Sequence, residues 1–179
     1  GNVSGKAYAL TILSPIKNAY TKDEIAFADV IRDHLQHWNF EQNSPMVKVP
    51  QTYLCRFFVL DDVYTESLPT GGALDTFSDF LPAVPDSLRR NTVPKEDHLK
   101  NRYLVFSCNF HGGENADLDG YLRGMWHAIS DRVKEIWQYC YGFESVRDAE
   151  SFITYMKKCQ LPASLFFNGS NDESLEDLR

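Results

Sequence analysis

The sequence predicts an α+β fold: a four-stranded antiparallel sheet, threaded β-α-β-β-α-β, with helices on one face. Three observations predict it. Residues 103–110 alternate strictly, with Leu104, Phe106, Cys108 and Phe110 on one side and Tyr103, Val105, Ser107 and Asn109 on the other. A glycine pair, Gly112-Gly113, follows at once, and then Leu118, Leu122, Met125, Ile129, Val133, Ile136 and Cys140 recur at helical spacing. Two further strand candidates precede this unit and a shorter one follows it, which gives the order β-α-β, a long insert, then β-α-α-β. Two matched halves of this kind make the ferredoxin-like plan.

The elements follow in order. Residues 7–16 form a strand candidate stopped by Pro15, with Tyr8, Leu10 and Ile12 on one face. Thr21 and Glu24 have the spacing of a capping box, and Ile25, Ala28, Ile31, Leu35 and Trp38 make an inward helical stripe. Residues 40–50 read as a polar connection. Residues 52–62 form the second strand, and its apolar residues on both faces predict a central position in the sheet. After the third strand, Asn115 or Asp117 is the expected cap of the long helix, and Gly142 its expected stop. A last helix is expected from Ser145, with Asp148 three residues on as its capping-box partner, and a last strand at 163–168. One domain spans 1–179, with an insert at 63–101 and an acidic tail at 170–179. A connection as long as the insert is characteristic of a lid, a binding loop or a dimer arm.

Composition narrows the function. The chain has 179 residues, 43% apolar and 13% aromatic, enough for a packed core. Its net charge of −7 disfavours a nucleic-acid surface, which needs a basic footprint. No apolar run approaches a membrane span, and no stretch has the order of a signal peptide. The four cysteines are dispersed and form no CxxC, so they are expected to be reduced, buried thiols of a cytoplasmic protein. No GxSxG, P-loop, HExxH or dinucleotide fingerprint occurs.

Five residues are candidates for a ligand site: Arg56, Ser107, Asn109, His111 and His98. Arg56 interrupts an apolar strand, and a guanidinium there needs a carboxylate or a path to water. Ser107 and Asn109 mark a wetter face of the third strand. His111 lies at that strand's end beside two glycines and a helix start, a corner where free backbone N–H groups can hold an anion. His98 flanks the third strand from the insert. His34 and His37 lie three apart on the first helix, but no third metal ligand is near them in sequence.

Three stretches, RFFVLDD (56–62), LVFSCNFHG (104–112) with DGYL (119–122), and IWQYCYGF (136–143), resemble a family of uncharacterised bacterial proteins. That family's pattern is a strand ending in LDD, a strand ending in Asn-Phe-Asp-Gly, and a helix ending in a Cys-x-Gly-aromatic turn. This chain departs from it at His111, where the family usually has Asp, and in its longer insert. The resemblance implies a fold similar to the dimeric α+β barrels, which include haem enzymes, small monooxygenases and plain binding modules. It carries no established catalytic residue.

The expectation is therefore a small-molecule-binding ferredoxin-like homodimer taking a small apolar or carboxylate ligand. The alternatives are an oxidative enzyme, with haem as its possible cofactor, and an interaction subunit that docks a partner enzyme through the insert.

Overall fold

The computed structural model describes residues 1–42, 44–61 and 101–162. The expected last strand at 163–168, the tail, Asp62, His98 and all of the insert except Asn101 lie outside the described residues. The chain divides into a main unit, Gly1–Leu60 with Asn101–Arg179, and the intervening segment Asp61–Lys100.

The main unit is an α+β structure. Strands β1 (Val3–Ser4), β2 (Ala7–Pro15), β3 (Thr52–Leu60) and β4 (Tyr103–His111) form one antiparallel sheet in the order β1-β2-β4-β3. The helices are α1 (Phe27–Phe40), α2 (Leu118–Trp137) and α3 (Ala149–Cys159). Because β2 and β3 are each antiparallel to β4, they run parallel to one another with β4 between them. Strand β1 is a two-residue hairpin arm that the sequence pattern did not predict. It pairs with the start of β2, Val3 opposite Tyr8.

Period-two alternation sorts the two faces as expected. Leu10 and Ile12 of β2 and Leu104, Phe106, Cys108 and Phe110 of β4 share one core with Ile31, Leu122, Met125, Val133, Ile136, Phe152 and Met156 from the three helices. Phe57 completes this face on β3. It stacks on Phe106 at 4.6 Å and meets the edges of Trp38 and Trp137.

Four expectations are corrected. Strand β3 lies at the edge of the described sheet, not at its centre. Its second apolar row, Leu54 and Phe58, is 59% and 40% exposed instead of buried. Helix α1 starts at Phe27, with no side-chain cap. Glu24 sits at φ +60 within a turn closed by Thr21 and Ile25, so Thr21 bonds Ile25 N–H and Ile25 stays exposed. Helix α2 ends at Trp137, before Gly142, which opens a short 3-10 turn at φ +82. Helix α3 takes Asp148 as its cap, with Ser151 as the reciprocal partner, so Ser145 belongs to the preceding turn.

Helix α2 also carries a kink. Ile129 has φ −139 and ψ 28, non-helical values within an otherwise continuous buried stripe. Beyond the kink, Arg132 bonds Glu135 and Glu41, tying α2 to the end of α1. Arg123 with Glu150, and Lys157 with Asp119, tie α2 to α3.

Candidate functional site

The sheet face turned away from the helices gathers four of the five candidate residues. Arg56 stands directly opposite Ser107, whose other neighbour is Thr11 of β2. Two residues along β4, Asn109 lies between Leu54 and Ala9, and two further along, His111 lies opposite Ala7. Directly opposed Cβ atoms sit about 5 Å apart. The four side chains therefore line up as one polar stripe along β3 and β4. On the Tyr103 side of this stripe the same face is apolar, with Leu13, Val105 and Phe58 in one row.

Ser107, Asn109 and His111 are half-buried, while Arg56 is exposed. Among the described residues no carboxylate pairs with Arg56, and on an edge strand its guanidinium reaches water. The extra residue in β3 between Thr52 and Leu54 is Tyr53, at a bulge. Its ring meets His111 edge-on at 6.4 Å.

The corner around His111 is built differently from an anion site. The backbone N–H groups of His111 and Gly112 already donate to Gln51 O and Lys6 O, at 2.9 and 2.8 Å. The helix start is closed by its own cap: the Asp117 carboxylate accepts from Gly120 N–H at 2.9 Å. Gly113 takes φ +67 to make the turn, and a Cβ on Gly112 would fall 2.9 Å from Ala116 Cα. The two glycines thus serve the turn, and the N–H groups of His111 and Gly112 are already engaged.

Behind the stripe, on the helix side, lies a buried polar group. Tyr121 stacks flat on Phe110, with ring centroids 3.8 Å apart. Its hydroxyl meets Thr52 Oγ1 at 2.8 Å and accepts the Cys108 S–H at 3.6 Å. Burial pushes the Cys108 thiol up to about 12 and raises the Tyr121 phenol, so both stay neutral. Cys55 faces Cys108 across the strands. All four cysteines are free thiols.

His34 and His37 do not converge. His34 stacks on Tyr139, and His37 Nδ1 lies 2.8 Å from the Asp33 carbonyl oxygen. Among the described residues no group of three His, Cys, Asp or Glu side chains is arranged to hold a metal ion. Among those residues, too, no helix is long and apolar enough to cross a membrane.

Sequence reasoning missed Gln51, the residue before β3, which adopts φ +64 and lends its carbonyl to His111. It also missed what Gly120 and Gly124 share, although their four-residue spacing on a helix was a readable sign of a bare strip on one face. No known family model, no curated protein and no solved structure matches this chain.

Proposed function

We propose that this protein is a small-molecule-binding module of ferredoxin-like plan, acting as a homodimer. Its ligand lies on the sheet face that bears Arg56, Ser107, Asn109 and His111. The observation that carries this reading is the strand register, which aligns a cation opposite a hydroxyl and continues the row with an amide and an imidazole. Such a row suits a ligand carboxylate: Arg56 supplies a forked pair of donors, and Ser107 and Asn109 supply neutral ones. The neighbouring Leu13, Val105 and Phe58 suit an apolar body.

Two further observations support the plan and the dimer. The parallel pair β2 and β3 split by β4 is the first half of a ferredoxin-like threading. Beyond α3, Gln160 bridges Ile12 antiparallel and Leu161 N–H bonds Thr11 O, on the outer edge of β2 where a fourth strand of that plan belongs. The exposed Leu54 and Phe58 give a second copy an apolar surface to cover.

The test is a titration of 15N-labelled protein with small aromatic and aliphatic carboxylates, hemin among them. Saturable shifts at the Ser107 and Asn109 amides, weakened at least tenfold in Arg56→Gln, are expected. Absence of such shifts for every carboxylate removes the site. Hemin binding with a Soret band that vanishes in His111→Ala makes the ligand haem. Sedimentation should give a dimer that Phe58→Asp converts to a monomer; a monomeric wild type removes the dimer.

A further inference from the structure

Cys55 of β3 and Cys108 of β4 are direct partners in the strand register. The kind of pair they form follows from the hydrogen bonds on the other side of β4. Gly112 N–H donates to Lys6 O, and Ile16 N–H donates to Arg102 O. In an antiparallel ladder these two bonds flank the non-hydrogen-bonded pairs Ala7–His111 and Pro15–Tyr103. The register between them runs without a shift, so alternation makes Leu10–Cys108 a hydrogen-bonded pair. The N–H and C=O of Cys108 are therefore turned toward β2. Those of His111, an odd-numbered residue of the same strand, are turned toward β3, where its N–H donates to Gln51 O.

Cys55–Cys108 is thus a non-hydrogen-bonded pair of β3 and β4. In such pairs the Cα atoms lie about 4.5 Å apart and the side chains approach most closely. A disulfide spans Cα separations of roughly 4.4–6.8 Å. Both thiols are free and both pack with the core on the helix side of the sheet. Among the described residues no third ligand joins them, so the pair is not a metal site. Cys140 and Cys159 share no such register: Cys140 bridges Ile16, and Cys159 ends α3.

The two thiols differ in access. Cys55 is half-buried on an edge strand, whereas Cys108 is only 2% exposed. A small oxidant therefore meets Cys55 first. Cys108 is held neutral by burial, so its proton must leave as its sulfur attacks. The route is in place: Cys108 S–H donates to the Tyr121 hydroxyl at 3.6 Å, and that hydroxyl meets Thr52 Oγ1 at 2.8 Å. The attack is intramolecular between sulfurs held side by side, which offsets the low nucleophilicity of a buried thiol.

We propose that Cys55 and Cys108 form a reversible oxidative modification site whose co-substrate is a small hydroperoxide. The Cys55 thiol attacks the peroxide, the O–O bond breaks, and Cys55 becomes a sulfenic acid while the peroxide is reduced by two electrons to water or an alcohol. The Cys108 sulfur then attacks Cys55 Sγ. An S–S bond forms, the S–O bond breaks, and the hydroxyl leaves as water with the proton that Tyr121 and Thr52 conduct from Cys108. A dithiol reverses the change by exchange, taking up the disulfide and returning both thiols.

The experiment uses the full reduced chain, treated with hydrogen peroxide, then alkylated and digested without reductant. Peptide mass spectrometry should find Cys55 joined to Cys108 as the main cross-link, and dithiothreitol should restore four free thiols. In Cys108→Ala, dimedone should label Cys55 at least fivefold more than in the wild type, because the sulfenic acid has no thiol to resolve it. In Cys55→Ala, Cys108 should stay reduced. Tyr121→Phe should slow closure and let the Cys55 sulfenic acid accumulate, an effect that loss of packing alone does not produce; closure as fast as in the wild type removes the proton route. Circular dichroism of each variant checks that it folds, and the wild-type cross-link is decisive whether or not the variants do. The proposal is overturned if peroxide yields no Cys55–Cys108 peptide from the folded wild type. It is equally overturned if Cys140–Cys159 or intermolecular cross-links dominate.

Discussion

Trp137 donates its indole N–H to the Ser14 hydroxyl at 3.0 Å, and both residues are completely buried. This bond joins the last turn of α2 to the end of β2. The Tyr155 hydroxyl, from α3, donates instead to the Tyr141 carbonyl at 3.3 Å. Ser14→Ala should destabilise the fold by about 1–3 kcal/mol, because it strands the indole N–H in the core. Urea denaturation of Ser14→Ala, Trp137→Phe and the double variant checks it. A coupling of at least about 0.5 kcal/mol is expected, and strict additivity would deny the bond any energetic role.

Phe57 and Phe58 are neighbours in sequence on opposite faces of β3. Phe57 stacks on Phe106 and is wedged against Trp38 and Trp137. Phe57→Ala should cost about 3 kcal/mol of folding stability, the low end for a core phenylalanine, since β3 is at the sheet edge. Phe58→Ala, on the far face, should change unfolding of the isolated chain by no more than about 0.5 kcal/mol. The comparison is made by denaturation at low protein concentration, where dimer formation does not contribute.

The thiols should differ in reactivity. Burial pushes Cys108 up to about 12 and raises Cys140 as well, so neither forms thiolate at pH 8. Cys159 and Cys55 are half-buried. Brief alkylation of the folded protein, read by peptide mass spectrometry, should modify Cys159 and Cys55 and spare Cys108 and Cys140. In denaturant all four should react alike.

The cap of α3 should depend on pH in one direction. The Ser151 hydroxyl and backbone N–H hold the Asp148 carboxyl below its ordinary value of 3.8. A lowered value in the folded state means that the cap stabilises α3 fully above that ordinary value. The contribution is lost as pH falls through the lowered one. Asp148→Asn should therefore show a lower Tm than the wild type at pH 6, with the gap closing as pH drops below about 4. A gap that is constant from pH 6 to pH 2 would mean that the charge plays no part.

Local reading sufficed for some residues and failed for others. The faces of 103–110 and the buried stripe from Leu122 to Ile136 were legible because strand and helix periods are fixed by covalent geometry. The cap of α2 was legible only as Asn115 or Asp117, because either short polar side chain beside a helix start can accept from its first N–H groups, and the structure selects Asp117. The place of β3 in the sheet was not. Apolar residues on both faces are equally consistent with a central strand and with an edge strand that keeps Leu54 and Phe58 exposed. The start of α1 was misread because Thr21 used its hydroxyl on a turn at Ile25 instead of on a helix, two outcomes of similar local energy.

By itself, then, the sequence determined which side chains of β2, β4 and the long helix turn toward the core, since strand and helix periods depend on neighbours a few bonds away. Tertiary structure alone decided that Arg56 meets Ser107, that Cys55 meets Cys108, and that β4 takes the middle of the sheet. Those arrangements join residues some fifty or more positions apart, and their free energy comes from strand pairing and packing that no local segment encodes.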